Sequence, residues 1–269
     1  MNPMEFQMVD ILKELKEEYA VVGVKAEFEA EGTRTEELMR LKEVCLASDV
    51  PLTLKIGGCE AIRDMYDARS IGVEFLVAPM IESPFALGKY LRDVDQVFPE
   101  DEQSEIDFLV NIETLKAARC FPEMLKIPEI GILDGIVVGR VDMVGSMGLD
   151  RKSVNSERLF TITMDLLNAA KNHGLSCVVG GAIAVDSLPF LRRIPEGMID
   201  RYETRKICFS CPEALGEKAA EGIHKAVGFE LLWLKNKRDY YKNISQEDEK
   251  RIAMLEERHN KGIARVAAC

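Results

Sequence analysis

Histidine is nearly missing from this chain: there are three in 269 residues, His173, His224 and His259. All three fall in or at the ends of helical patterns. A zinc centre, which prefers imidazole and thiolate, is therefore not expected, and none of the three reads as a catalyst. Basic residues are also in deficit, with 35 Lys and Arg against 46 Asp and Glu and a net charge of −11. Phosphate binding needs clustered cations, so no nucleic-acid partner is expected. No apolar run approaches the ~20 residues that span a bilayer. The opening stretch, "MNPMEFQMVDILKELKEEYA", lacks the basic region, apolar run and small-residue cleavage site of a signal peptide. A cytoplasmic protein with no membrane partner is the expectation. There is no G-x-G-x-x-G, no P-loop and no G-x-S-x-G. The seven cysteines (Cys45, Cys59, Cys120, Cys177, Cys208, Cys211 and Cys269) are odd in number, and most lie in apolar runs, as reduced buried thiols do. Cys208 and Cys211 have C-x-x-C spacing but no second pair, which favours packing over metal binding or redox chemistry.

What is present is alternation. Short apolar runs ("YAVVGVKAEF", "PLTLKI", "VEFLVAPM", "IDFLVNIE", "DGIVVGRVD", "LSCVVGGA", "MIDRYETRKICF") are separated by helical patterns such as "TEELMRLKEVCLAS" and "SERLFTITMDLLNAAKNHG". Near-continuous apolar strands imply burial on both faces, as in a parallel sheet covered by helices. Repeated βαβ units close most simply into a TIM-type (β/α)8 barrel or an open doubly wound sheet. Seven strands are counted, so the first βα unit is expected to be irregular or missing, with the N-terminal helix in its place. Residues 1–269 read as a single α/β-barrel domain. Within it, 212–269 are expected to form two C-terminal helices, the second opening on a Ser245-x-x-Asp248 capping box. That second helix is too charged for a core and reads as a solvated face or, preferably, given the apolar strip of Ile252, Met254 and Leu255, an arm packing on a neighbouring subunit.

The informative feature is charge directly after apolar runs. In α/β sheets and barrels, ligands bind at the C-terminal strand ends. In chain order these ends carry Lys25, Glu27, Glu29 and Glu31, then Lys55 before Gly57 and Gly58. Glu82, Glu113, and the pair Arg140 and Asp142 follow. Gly180 and Gly181 come next, and last Arg201, Glu203 and Arg205. Such a ring is costly unless its members pair or bind a metal. Glu113 and Asp142, from adjacent strands, can share a hard divalent cation, Mg2+ or Mn2+. Gly145 and Gly148 keep the following loop small, so a substrate can approach backbone N–H groups.

"VNIETLKA", then "LDGIVVGRVDMVGSMG" about two dozen residues later, with "GVEFLVAPMIES" before them, resembles the HpcH/HpaI aldolase and citrate lyase β-subunit family. The resemblance spans roughly residues 20 to 190. It implies a TIM barrel, with Glu113 and Asp142 ligating Mg2+ or Mn2+. It implies a 2-oxo acid such as pyruvate, its carboxylate received by the N–H groups of Val141 and Asp142. The implied reaction is aldol cleavage or addition through a metal-stabilised enolate. It also implies a homo-oligomer, a trimer or hexamer with exchanged C-terminal helices. Two positions depart from the family. The family's strand ending Asp-x-Glu-His corresponds to "EAEG", with Gly32 in the histidine's place. Lys55 stands where the family has an arginine, and cannot make the same bidentate contact. Lys55, Glu29, Glu31 and Glu82 are left as catalytic candidates. Lys25, Glu27 and Arg140 are extra rim charges suited to a polar or anionic substrate such as a sugar acid. The competing readings are a citrate-lyase-like enzyme acting on an acyl-CoA, which would need a basic groove, and a non-catalytic ligand-binding barrel.

Overall fold

The computed structural model of the chain describes residues 1–267. Its centre is a closed barrel of eight strands in sequence order. The strands are β1 (Val21–Glu27), β2 (Leu52–Lys55), β3 (Phe75–Ala78), β4 (Asp107–Ile112), β5 (Gly135–Gly139), β6 (Ser176–Gly180), β7 (Arg201–Glu203) and β8 (Ile207–Ser210). The helices are α1 (Pro3–Tyr19), α2 (Thr35–Ser48), α3 (Ile62–Ile71), α4 (Pro84–Val97), α5 (Glu100–Gln103), α6 (Leu115–Met124), α7 (Arg140–Ser146), α8 (Glu157–Lys171), α9 (Leu188–Arg192) and α10 (Ala219–Ala267).

Strands β1 to β7 run parallel, as the apolar runs require. The irregular unit lies at the last position rather than the first. "MIDRYETRKICF" is not one strand but a hairpin, so β8 pairs antiparallel with both β7 and β1. Thr204 makes the turn, its N–H donating to the Ile207 carbonyl and its Oγ1 accepting from the Ile207 N–H.

Side chains of one strand parity fill the barrel interior. Near the base, Val77, Leu109, Val137 and Val178 form a small apolar cluster apart from the main core. Arg201 closes the bottom over the Phe75 ring, 4.2 Å from its centroid, and so is not a rim residue. The main core fills the layer between sheet and helices, with Met8, Leu12, Leu41, Leu76, Phe108, Leu167 and Phe229 fully buried or nearly so.

The C-terminal stretch is one helix of 49 residues, not two. Nothing around Asn243-Ile244-Ser245 breaks it, so Ser245 and Asp248 lie mid-helix and cap nothing. Because β8 runs backwards, α10 starts at the base of the barrel, where Gly222 packs on Tyr19 and Phe209. It climbs the wall to the rim, where Trp233 lies beside Lys206. Residues 242–261 are exposed throughout and extend past the barrel. Cys45, Cys59, Cys120, Cys177, Cys208 and Cys211 are unpaired, and burial pushes the Cys208 and Cys211 thiols up to about 12. Cys269 lies outside the described residues.

Candidate active site

A cavity of about 640 Å³ opens at the C-terminal ends of the strands. Its charged lining comprises Glu27, Glu29, Glu113, Asp142, Glu203 and Glu230 against Lys25, Lys55, Arg151 and Arg205. Six carboxylates against four cations leave the site short of positive charge.

The β4–β5 side is built around Glu113. It follows β4 directly, and Asn111, two residues earlier, faces the same way. Asn111 Nδ2 donates to Glu113 Oε2 at 2.8 Å, and the Met80 N–H donates to Oε1 at 2.9 Å. Met80 reaches this position with a left-handed backbone, φ 52°, a cost for a non-glycine residue that the bond to Glu113 offsets. Gly139 lets the two strands close: a Cβ there would sit 2.6 Å from Glu113 Cβ. No salt bridge reaches Glu113 among the described residues, and its carboxyl is pushed above the usual range. Burial is the main cause and the Asp142 charge adds to it, while the Met80 N–H, Lys55 and Asn111 oppose it. Asp142 is exposed and lines the same cavity.

The β1–β7 side is a chain of ion pairs. Lys25 Nζ lies 2.5 Å from Glu203 Oε1 and 3.1 Å from Glu27 Oε1, all three groups being buried. Lys55 Nζ bridges Glu29 Oε2 at 2.9 Å and Glu27 Oε1 at 3.8 Å. Burial would lower the Lys25 pKa, but Glu203 and Glu27 outweigh it and hold the ammonium charged. Burial would raise the Glu27 carboxyl, but Lys25, Lys55 and Arg205 together hold it below its usual range. A lysine so firmly protonated is no nucleophile.

Lys25, Lys55, Glu29, Glu113, Val141 and Asp142 thus share one cavity, as the sequence suggests. Three expected members do not line it. Arg140 is fully buried with its guanidinium turned away. It donates to the Gly180, Gly181, Ala182 and Val154 carbonyls, Asn155 Oδ1 and Ser187 Oγ. Strand β5 ends at Gly139, and Arg140 opens α7, so its side chain clamps the loop after β6 rather than meeting a substrate. Burial lowers its pKa to about 10. Glu31 is held by Arg205 and Lys206. Glu82 accepts from Thr114 Oγ1 at 2.6 Å and pairs with Lys116.

Glu203 is one of the strand-end charges, whereas Asn111 and Glu230 are not. The position two before Glu113 signals Asn111 through strand parity. Nothing local signals Glu230, which reaches the cavity from α10. No histidine lines the cavity.

Among the described residues no cluster of three or more His, Cys, Asp or Glu side chains is preformed to hold a metal. The donor set nonetheless fits a hard divalent cation. Glu113 and Asp142 are oxygen donors in a cavity short of positive charge, and Asn111 Oδ1 is buried without a partner. A cation with several waters and substrate oxygens needs only one or two protein carboxylates. Beside them, Gly181, with φ +85°, lies so close to α7 that a Cβ would be 2.8 Å from the Arg140 and Val141 nitrogens. The bare glycine keeps that helix start unobstructed.

Three comparisons bear on these residues. The family model for the HpcH/HpaI aldolase/citrate lyase family matches residues 57–193. Solved structures of similar fold include an HpcH/HpaI aldolase from Desulfitobacterium hafniense DCB-2, with TM-score 0.56 and 15% identity over 69% of this chain and 78% of that one. The citrate synthase SbnG aligns with TM-score 0.59 and 14% identity over 86% and 90% of the two chains. Macrophomate synthase aligns with TM-score 0.52 and 15% identity over 69% and 79%. At such identities the likeness carries the fold alone. No curated protein sequence matches the chain.

Proposed function

Because the chain belongs to the HpcH/HpaI aldolase/citrate lyase family, we propose that it is a divalent-metal-dependent carbon–carbon lyase. It cleaves or forms a 2-oxo acid through a pyruvate-type enolate. The observation that carries this reading is the pairing of Glu113 and Asp142 on one cavity wall, carboxylates that no lysine or arginine neutralises among the described salt bridges. Glu113 and Asp142 hold Mg2+ or Mn2+, which when bound acts as a Lewis acid toward the 2-oxo acid. The Met80 N–H and Asn111 fix the Glu113 carboxylate in orientation. The first N–H groups of α7, at Val141 and Asp142, have no partner within the helix and are free for the substrate carboxylate. Lys55, between the acidic pair Glu27 and Glu29 and within electrostatic reach of Glu113, supplies the positive charge that the developing enolate needs.

Thermal unfolding with Mn2+ and oxalate, a 2-oxo acid mimic, tests this. Ligand at 100 times its dissociation constant adds about 2.7 kcal/mol to stability. Absence of any shift in the wild type, or a shift that survives Glu113→Ala with Asp142→Ala, would sink the reading.

The proposal extends to assembly. Ile244 and Leu255 are about half exposed on the outer half of α10, on the helix face that continues from Ala226 and Trp233, with Ile252 and Ile263 to one side of it. This strip packs on a second copy of the chain, giving a homo-oligomer such as a trimer or hexamer. Light scattering should show smaller particles after truncation at Tyr241, and an unchanged mass would count against it. No helix among the described residues is long and apolar enough to cross a membrane, and a cytoplasmic location is proposed with the rest.

A further inference from the structure

The carboxylates around the cavity are not equivalent. Glu29 is exposed and tied to Lys55. Glu31 is consumed by Arg205 and Lys206 outside the lining. Glu203 gives Oε1 to Lys25, and its Oε2 faces Cys208 Sγ at 4.0 Å. Glu27 differs from all of these. Its Oε1 is held by Lys25 at 3.1 Å, with Lys55 at 3.8 Å, while its Oε2 is buried with no hydrogen-bond donor. Arg205 Nη1 lies 3.7 Å from Oε2, too far to bond. Glu27 is 2% exposed and lines the cavity. A buried oxygen left without a donor costs about 1–3 kcal/mol, so it calls for an explanation. An oxygen that awaits a proton from the ligand is that explanation.

We propose that Glu27 is the general base of this site, filling the role for which the cavity offers no histidine. The proposal rests on the metal-enolate reading above. In the cleavage direction, Glu27 Oε2 takes the proton from the C4 hydroxyl of a 4-hydroxy-2-oxo acid. The O–H electron pair becomes the carbonyl of the departing aldehyde. The C3–C4 bond breaks, and its electrons form the enolate of the remaining 2-oxo acid. The carboxylic acid of Glu27 then returns its proton to C3, restoring the carboxylate and releasing the 2-oxo acid. No oxidant or co-reactant is needed. Lys25 grips the other oxygen and fixes the carboxylate in place, and the Lys55 charge nearby helps hold it ionised before the substrate arrives.

The reverse of the last step is abstraction of a C3 proton, which pyruvate alone reports. With Mn2+ in deuterated water, the wild type should exchange the pyruvate methyl protons. In Glu27→Gln that exchange should fall about 10²- to 10⁴-fold, the usual contribution of a positioned base. Stabilisation of Glu27→Gln by Mn2+ and oxalate should match the wild type, since the metal-holding side is untouched. Formate should restore exchange in Glu27→Ala, which no purely structural role would allow. Should Glu27→Gln fail to fold, Glu27→Asp keeps the charge but withdraws it by one methylene, and exchange should fall at least about tenfold. Exchange within threefold of wild type in either folded variant overturns the proposal. A wild type that neither exchanges nor gains stability with Mn2+ and oxalate overturns the metal-enolate reading itself.

Discussion

The two sides of the cavity handle charge in opposite ways. On the β1–β7 side Glu27, Glu29 and Glu203 each meet a lysine, and Lys25 is enclosed by two of them. On the β4–β5 side Glu113 meets only an amide and a backbone N–H, and burial raises its pKa. The first arrangement pairs its charges within the chain, while the second leaves a buried carboxylate with no salt-bridge partner among the described residues. A buried carboxylate without a cation is a cost that a folded protein keeps where something else is to bind. The family match covers residues 57–193, which include Glu113 and Asp142.

The largest way to break this contrast is to remove the enclosed cation. Lys25→Met leaves Glu27 and Glu203 buried without their shared partner, and should cost about 3–5 kcal/mol in urea unfolding. A loss below 1 kcal/mol would mean that water already screens this side. A smaller effect, opposite in sign on the two sides, sharpens the contrast. Glu27 has a lowered pKa, so its ionised form adds stability above its ordinary value of 4.5, and that stability is lost as pH falls through the folded value. Glu113 has a raised pKa, so the folded state holds its proton more tightly, and stability falls as pH rises above 4.5. Without metal at pH 7, Glu27→Gln should therefore destabilise the protein by about 1–3 kcal/mol, the usual loss for a charged hydrogen bond. Glu113→Gln should leave it as stable as the wild type or slightly more so. Denaturant curves at pH 7 and pH 4 read both, and equal losses in the two variants would erase the distinction.

Much of this was legible in the residues. Six of the apolar runs contain β1 to β6, because burial on both faces writes a strand as an uninterrupted apolar segment. The hairpin was hidden because its turn, Thr204-Arg205-Lys206, contains no glycine, proline or asparagine. The long helix was divided too early because Ser245 and Asp248 mimic a cap that only tertiary context can reject. Glu113 and Asp142 could be read from strand ends. The fate of Arg140 could not. Whether a guanidinium faces a ligand or six protein acceptors depends on the loops after β5 and β6, up to 47 residues away in sequence. Glu27 stood in the right group of residues, but only burial separates its bare oxygen from the occupied ones of Glu29 and Glu31.

The reversed last strand has a mechanical consequence. A forward strand would have delivered the chain to the rim. The reversed one delivers it to the base, so α10 must travel the full height of the wall before leaving the barrel. At 1.5 Å per residue its 49 residues make a rod of about 74 Å. Val227 and Glu230, partway along, form part of the cavity wall. One continuous element therefore both walls the cavity and extends past the barrel.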